Sequence, residues 1–182
     1  QTSVKTFIDD LKANGIQTMT QVLEKSLNTG AVFVQQLIGK KTFKEYLEKF
    51  RFSERTGIDL KGEIKGDISN LNNKRDIEYA TASFGQGIAM TPIELLSALG
   101  AIANQGKIMR PYIVEKFIYR GGKEEEVKSE VLAQVISPET AEKLTKMMVD
   151  VVENGWSKKA RISGYWIAGK TGTAQVPDFK TG

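Results

Sequence analysis

The 182-residue chain contains no cysteine and no histidine. Without cysteine it has no disulfide framework, zinc finger or thiol nucleophile. Without histidine it lacks Ser-His-Asp triads, Cys-His pairs and His-ligated metal sites, so any nucleophile must be activated by a lysine or a carboxylate. Long hydrophobic runs are missing too. No stretch approaches the roughly 18 apolar residues of a membrane span, and the opening "QTSVKTFIDDLKANG" has no apolar signal-peptide core, so the chain as given reads as soluble. Neither sign of charge dominates: 26 Lys and Arg interleave with 22 Asp and Glu for a net charge of +4. That pattern holds no basic block of the kind that marks a nucleic-acid surface, and "SKKAR", Ser157 to Arg161, reads as a solvated loop. There is no internal repeat and no low-complexity segment.

What is present, 40% hydrophobic and 26% charged residues, suits a globular chain with one core and, most simply, one domain. Several helices are marked by their caps. Thr18 and Gln21 form a capping box ahead of "QVLEKS", and "AVFVQQLIG" after Gly30 reads as a further helix, with "SLNTG" as the turn between. Thr42 and Glu45 form another box opening "FKEYLEKF". Thr91, Pro92 and Glu94 combine an N-cap, a first-turn proline and a capping-box acid ahead of "LLSALGAIA", apolar nearly all round and so expected inside the domain. Ser137, Pro138 and Glu139 open a helix with one apolar stripe that ends at Asn154 and Gly155. Strands are expected at Tyr112 to Tyr119, at Glu125 to Leu132 after a Gly121-Gly122 turn, and at Ile162 to Val176. Helices dominate and strands come late, which predicts an α+β domain with helices packed on an antiparallel sheet. Only the turn "PDFKTG" follows the last strand, with nothing to cover its edge, so the chain reads as a fragment cut in a hairpin.

The stretch "GYWIAGKTGTAQ", Gly164 to Gln175, matches two motifs with unrelated chemistry. From Gly164 to Thr171 it is the phosphate-binding G-x-x-x-x-G-K-T pattern, which needs a strand ending before the first glycine and a helix starting at the lysine. The residues before Gly164 are polar and basic, and two threonines and a glycine follow Lys170, so neither condition is met. From Lys170 it is Lys-Thr-Gly-Thr, a motif of serine acyl-transfer enzymes.

Successive blocks extend that second match. "TMTQVLEKSLNTGAVFVQQLIG" carries a Ser-x-Asn tripeptide at Ser26, Leu27 and Asn28, and "RTGIDLKGE", "YATASFGQGIAMTPIELLSALGAIANQGKIMRPYIV" and "GYWIAGKTGTAQVP" follow in order. Over most of its length the chain resembles the transpeptidase domain of class B penicillin-binding proteins, the peptidoglycan cross-linking enzymes of bacteria. The resemblance implies a penicillin-binding, serine transpeptidase-like fold and a parent that joins peptide stems ending in D-Ala-D-Ala through an acyl-serine intermediate, reacts with β-lactams and uses no metal or cofactor. It also implies a parent anchored by an upstream segment at the outer face of the cytoplasmic membrane, among membrane proteins of division or elongation.

By the resemblance, the Ser26 hydroxyl relays a proton to the leaving amine and Asn28 offers its amide to the acyl-side peptide. Lys170 holds Ser26 and attracts the terminal carboxylate. Thr171 and Thr173 donate hydroxyls to that carboxylate, the Thr173 N–H forms half of an oxyanion hole, and Gly172 leaves room for substrate to lie along the strand. Plain alternation puts Lys170 on the opposite strand face from Thr171 and Thr173. From the residues alone, Ser26 and Asn28 read more simply as a cap and a turn, and Lys170 as an exposed strand lysine; the ordered match favours the catalytic reading. "SFGQG" reads as structural, with Ser83 outside the site.

The family's nucleophile and general-base lysine lie in a Ser-x-x-Lys motif, and no such pattern occurs in the 182 residues. The expectation is therefore a partial domain over 1–182, without the acylating segment or the closing strand and helix, and inactive alone. A non-catalytic penicillin-recognising sensor or scaffold is the alternative.

Overall fold

A computed structural model describes residues 14–155 and 157–174. The chain divides into two compact units, each assembled from separated stretches: Gln1–Phe43, Ser69–Ile88 and Leu144–Gly182 form one, and Lys44–Ile68 with Ala89–Lys143 the other. No helix among the described residues is long and apolar enough to cross a membrane.

Among the described residues, the first helix of the first unit is α1 (Met19–Lys25), whose N-cap Thr18 accepts from the Gln21 N–H while the Gln21 side chain accepts from the Thr18 N–H. Two amides that a helix start leaves unpaired are thereby satisfied. The next helix, α2 (Asn28–Lys49), starts earlier than its sequence suggests and runs through Gly30. It is broken at Gly39, with φ 80° and ψ 159°, a conformation open essentially only to glycine. Its second stretch therefore starts at this kink, and the Thr42 box expected to open it lies inside the helix. Lys40, directly after the kink, donates to the Lys74 carbonyl at 2.6 Å and pairs with Asp76.

A 3₁₀ turn (Ser69–Asn73) and α3 (Asp76–Ala82), neither marked by a cap strong enough to read in sequence, complete the inner part of this unit. Buried Tyr79 donates to the Leu71 carbonyl at 2.6 Å and meets Phe43 edge-on, and Phe84 packs on buried Val32 and Ala80. The Ser83 hydroxyl donates to the Ala80 carbonyl at 2.7 Å, a local helix-end bond.

In the second unit, α4 (Pro92–Ala103) has the expected Thr91 capping box. Its buried side chains are Glu94, Ala98 and Ala101, one stripe at helical spacing, while Leu95, Leu96 and Leu99 are exposed. The expectation of a helix buried all round is corrected here: only the 94/98/101 stripe meets other described residues closely enough to be shielded from water.

Beyond α4, β1 (Lys107–Met109) pairs antiparallel with β4 (Val131–Gln134), and β2 (Lys116–Ile118) pairs antiparallel with β3 (Glu124–Glu126) across the Gly121-Gly122 turn. Both glycines have positive φ, as that tight connection requires. Ala101, Ile108 and Val135 form the core, with Phe50, Leu132 and Ile136 packed on it. The architecture is α+β, as the order of elements implies, but the sheets are two short antiparallel pairs. The last α-helix among the described residues, α5 (Pro138–Asn154), has its Ser137 start and its end at Asn154 and Gly155 where the sequence puts them.

Candidate active site

The site grows from the end of α1. Ser26 closes that helix in the left-handed region, φ 54° and ψ 49°, where a non-glycine residue costs about 1 kcal/mol. Its N–H bonds to the Leu23 carbonyl at 3.2 Å, and the Leu27 N–H reaches back to Val22 at 3.0 Å, a closure that caps the helix with the buried Leu27 side chain. Asn28 then opens α2, half-buried and two residues from Ser26. Gly30 makes this turn tight. A Cβ there would stand 2.5 Å from Val22 Cγ1, so only glycine lets α2 approach α1 this closely.

Lys170 arrives from the far end of the chain. The preceding Gly169 donates its N–H to the Met148 carbonyl of α5 at 3.1 Å. The Lys170 Nζ donates to Ser26 Oγ at 2.8 Å, to the Thr171 carbonyl at 3.0 Å and to Thr171 Oγ1 at 3.2 Å. The long side chain curls back toward the next residue and so reaches the Thr171 hydroxyl. The residue as a whole is exposed, yet its ammonium tip lies against protein, and that desolvation lowers its pKa from the ordinary 10.5. All three acceptors are uncharged oxygens, so the positive charge is oriented without being neutralised.

The structure thus brings together Ser26, Lys170 and Thr171, 144 positions separating the first two. Thr171 and Thr173 are exposed, and a Cβ at Gly172 would meet nothing within 4 Å, so the backbone is open to approach there. The strand expected over Ile162 to Val176 is not formed within 162–174; residues 175–176 and the expected turn at 177–182 lie outside the described residues. A strand exists by pairing, no described segment pairs with this one, and the Gly169 amide is taken by the helix carbonyl. The phosphate-loop alternative fails on the same backbone, since a 3₁₀ turn (Lys158–Ala160) precedes Gly164 and no helix opens over 170–174. Gly30, Gly169 and Met148 went unrecognised as supports of the site. The one legible signal was Gly169, a glycine directly ahead of the lysine motif where a strand former would be expected.

In a chain of α+β architecture, a lysine ammonium on a serine hydroxyl beside a threonine-lined open backbone offers the groups that serine acyl transfer needs without histidine. The chain belongs to the penicillin-binding protein transpeptidase domain family, whose pattern matches residues 4–182. It is 38% identical over 170 residues to stage V sporulation protein D of Bacillus subtilis, covering 92% of this chain and 26% of that protein. It is 31% identical to peptidoglycan D,D-transpeptidase FtsI of Escherichia coli K12, covering 92% and 27%. Among solved structures it resembles penicillin-binding protein 3 of Mycobacterium tuberculosis complexed with aztreonam, with a TM-score of 0.89 and 30% identity over 96% of this chain and 41% of that one. The chain spans about a quarter of the length of these curated relatives.

Proposed function

We propose that this chain is the substrate-orienting and proton-relaying part of a peptidoglycan D,D-transpeptidase domain, which cross-links stem peptides ending in D-Ala-D-Ala and reacts with β-lactams. The observation that carries the reading is the 2.8 Å bond from Lys170 Nζ to Ser26 Oγ. In the acylation step a serine hydroxyl of a Ser-x-x-Lys segment attacks the penultimate D-Ala carbonyl, and its proton passes to that segment's neutral lysine. The C–N bond then breaks. Ser26, held by Lys170, hands a proton to the departing amine and takes back the proton carried by the Ser-x-x-Lys lysine. Asn28 orients the acyl-side peptide. Thr171 and Thr173 donate hydroxyls to the terminal carboxylate under the Lys170 charge, the Thr173 N–H serves the oxyanion, and substrate lies along the backbone at Gly172. The chain acts at the outer face of the bacterial cytoplasmic membrane, within a protein that works beside membrane partners of division or elongation.

A domain completed with a Ser-x-x-Lys segment provides the test. Fluorescent penicillin should acylate it, with Ser26→Ala and Lys170→Met each lowering the second-order rate. The 182-residue chain alone should give no covalent adduct by mass spectrometry. A completed, folded domain that binds penicillin at an unchanged rate after both substitutions would instead support a recognition module without turnover.

A further inference from the structure

The two halves of the Ser26–Lys170 pair come from stretches far apart in sequence, so their 2.8 Å separation needs something rigid to measure it. α5 touches both. On one side it holds the lysine segment: the Met148 carbonyl accepts from Gly169 N–H, and a Cβ at Gly169 would come 3.3 Å from Val152 Cγ2. On the other it holds the serine segment. Gly155, directly after the last residue of α5, lies so close to α1 that a Cβ would stand 2.6 Å from the Glu24 carbonyl oxygen and 2.6 Å from the Val151 carbonyl oxygen. Asn154 adds a bond from its side-chain amide to Glu24 Oε1 at 3.3 Å. Glu24 is two residues before Ser26, and Gly169 is one before Lys170. Between these attachments run Val151 and Val152, both fully buried, which leave this part of α5 no freedom to slide.

We propose that Gly155 is a positioning residue: by letting the end of α5 close on the Glu24 carbonyl, it sets the distance from the Ser26 hydroxyl to the Lys170 ammonium. This rests on the transpeptidase reading of that pair. The obstacle to any larger residue is backbone on both sides, which cannot turn aside as a flexible side chain would. Gly155 is not among the glycines held at positive φ, so its requirement is one of space and not of backbone conformation.

The absence of cysteine makes the spacing measurable without turnover. In the 182-residue chain, Ser26→Cys gives a single thiol whose pKa follows from the pH dependence of its alkylation by iodoacetamide. A nearby ammonium lowers a thiol from its usual value of about 8.5. Adding Lys170→Met should raise it again, which separates the lysine from the α1 charges Glu24 and Lys25 beside the thiol. Adding Gly155→Ala should raise it in the same direction by roughly half a unit or more, and should do nothing further once Lys170 is methionine. Circular dichroism melts check that each variant is folded. A folded Gly155→Ala variant with an unchanged thiol pKa, or with an equal shift in the Lys170→Met background, would overturn the proposal. If Gly155→Ala does not fold, Asn154→Ala and Gly169→Ala carry the same expectation with smaller shifts, and no shift in either overturns it. Insensitivity of the thiol to Lys170→Met would bring down the Ser26–Lys170 pairing itself and the proposal with it. A normal thiol response beside a completed domain that penicillin does not acylate would count against the transpeptidase reading alone.

Discussion

Glu94 in one unit and Lys170 in the other are both charged and both hold several hydrogen bonds, yet the partners differ in kind. Glu94 is 2% exposed and accepts from three backbone amides: Thr91 at 2.6 Å, Ser53 at 3.1 Å and Gly66 at 2.9 Å. Its capping-box role is only a third of its work, because the same carboxylate fastens two loops to the start of α4. Gly66 serves this directly: a Cβ there would collide with the Ala89 carbonyl and stand 2.8 Å from Glu94 Oε2. Lys170 is exposed, and it rests on two hydroxyls and its neighbour's carbonyl. A charge saturated by amides holds a fold. A charge set on hydroxyls, which can rotate and exchange protons, remains available to a substrate.

Removing each charge should therefore have opposite signatures, the largest effect falling on Glu94. Glu94→Ala orphans the buried Gly66 amide and the half-buried amides of Ser53 and Thr91, and each charge-assisted bond is worth about 1.5 to 3 kcal/mol, so urea denaturation should show a loss of at least about 3 kcal/mol. Glu94→Gln, which keeps one acceptor oxygen, should lose less.

Lys170→Met should reverse the balance. In the completed domain the penicillin acylation rate should fall by roughly two orders of magnitude or more, measured by stopped-flow fluorescence. Stability should not fall. Because burial lowers the Lys170 pKa in the fold, its proton favours the unfolded chain at neutral pH; that cost disappears only as pH rises through the folded value toward 10.5. The melting temperature of the methionine variant should accordingly equal or exceed that of the parent at pH 7. Thr171→Val and Thr173→Val each delete one hydroxyl and should slow acylation about ten- to a hundredfold with little change in melting temperature.

Smaller still is an acid-induced loss located in the second unit. The Asp59 carboxylate accepts from the Val114 and Ile113 N–H groups, which hold its pKa below 3.8 against a partial desolvation that opposes them. For Glu63, desolvation raises the pKa, but the Thr56 hydroxyl, the Thr56 N–H and the Gly57 N–H together outweigh it and leave the value below 4.5. A carboxylate with a lowered folded pKa stabilises fully above its unfolded value and loses that contribution as pH falls through the folded one. Stability should thus decline below about pH 4, and Asp59→Asn with Glu63→Gln should flatten that limb of a melting-temperature profile. Last, Thr18→Ala removes only an exposed cap and should cost about 1 kcal/mol.

Signals carried by neighbouring residues were legible. The Thr18 and Thr91 boxes and the Ser137 start depend on residues three positions apart, the Gly121-Gly122 turn on two adjacent glycines, and each stands where the sequence indicates it. The kink at Gly39 was not, because the Thr42 and Glu45 box offers a competing helix start three residues on; in the structure the break falls at the glycine, with Lys40 after it bonded to Lys74 and Asp76. β1 escaped notice because three residues are too few for a period, and the outward leucines of α4 because composition does not say which stripe is covered.

By itself the sequence determined the chemistry on offer. With no histidine or cysteine, acid-base chemistry is left to lysine, carboxylates and hydroxyls, and a Ser-x-Asn and a Lys-Thr-Gly in family order point among these to Ser26 and Lys170. The tertiary structure alone decided that Ser26 Oγ and Lys170 Nζ stand 2.8 Å apart, that the lysine curls onto Thr171, and that Glu94 is a buried hub. The physical reason is range: caps and turns are set by bonds within a few residues, whereas a side-chain pair 144 positions apart is placed by the packing of helices that no local pattern encodes.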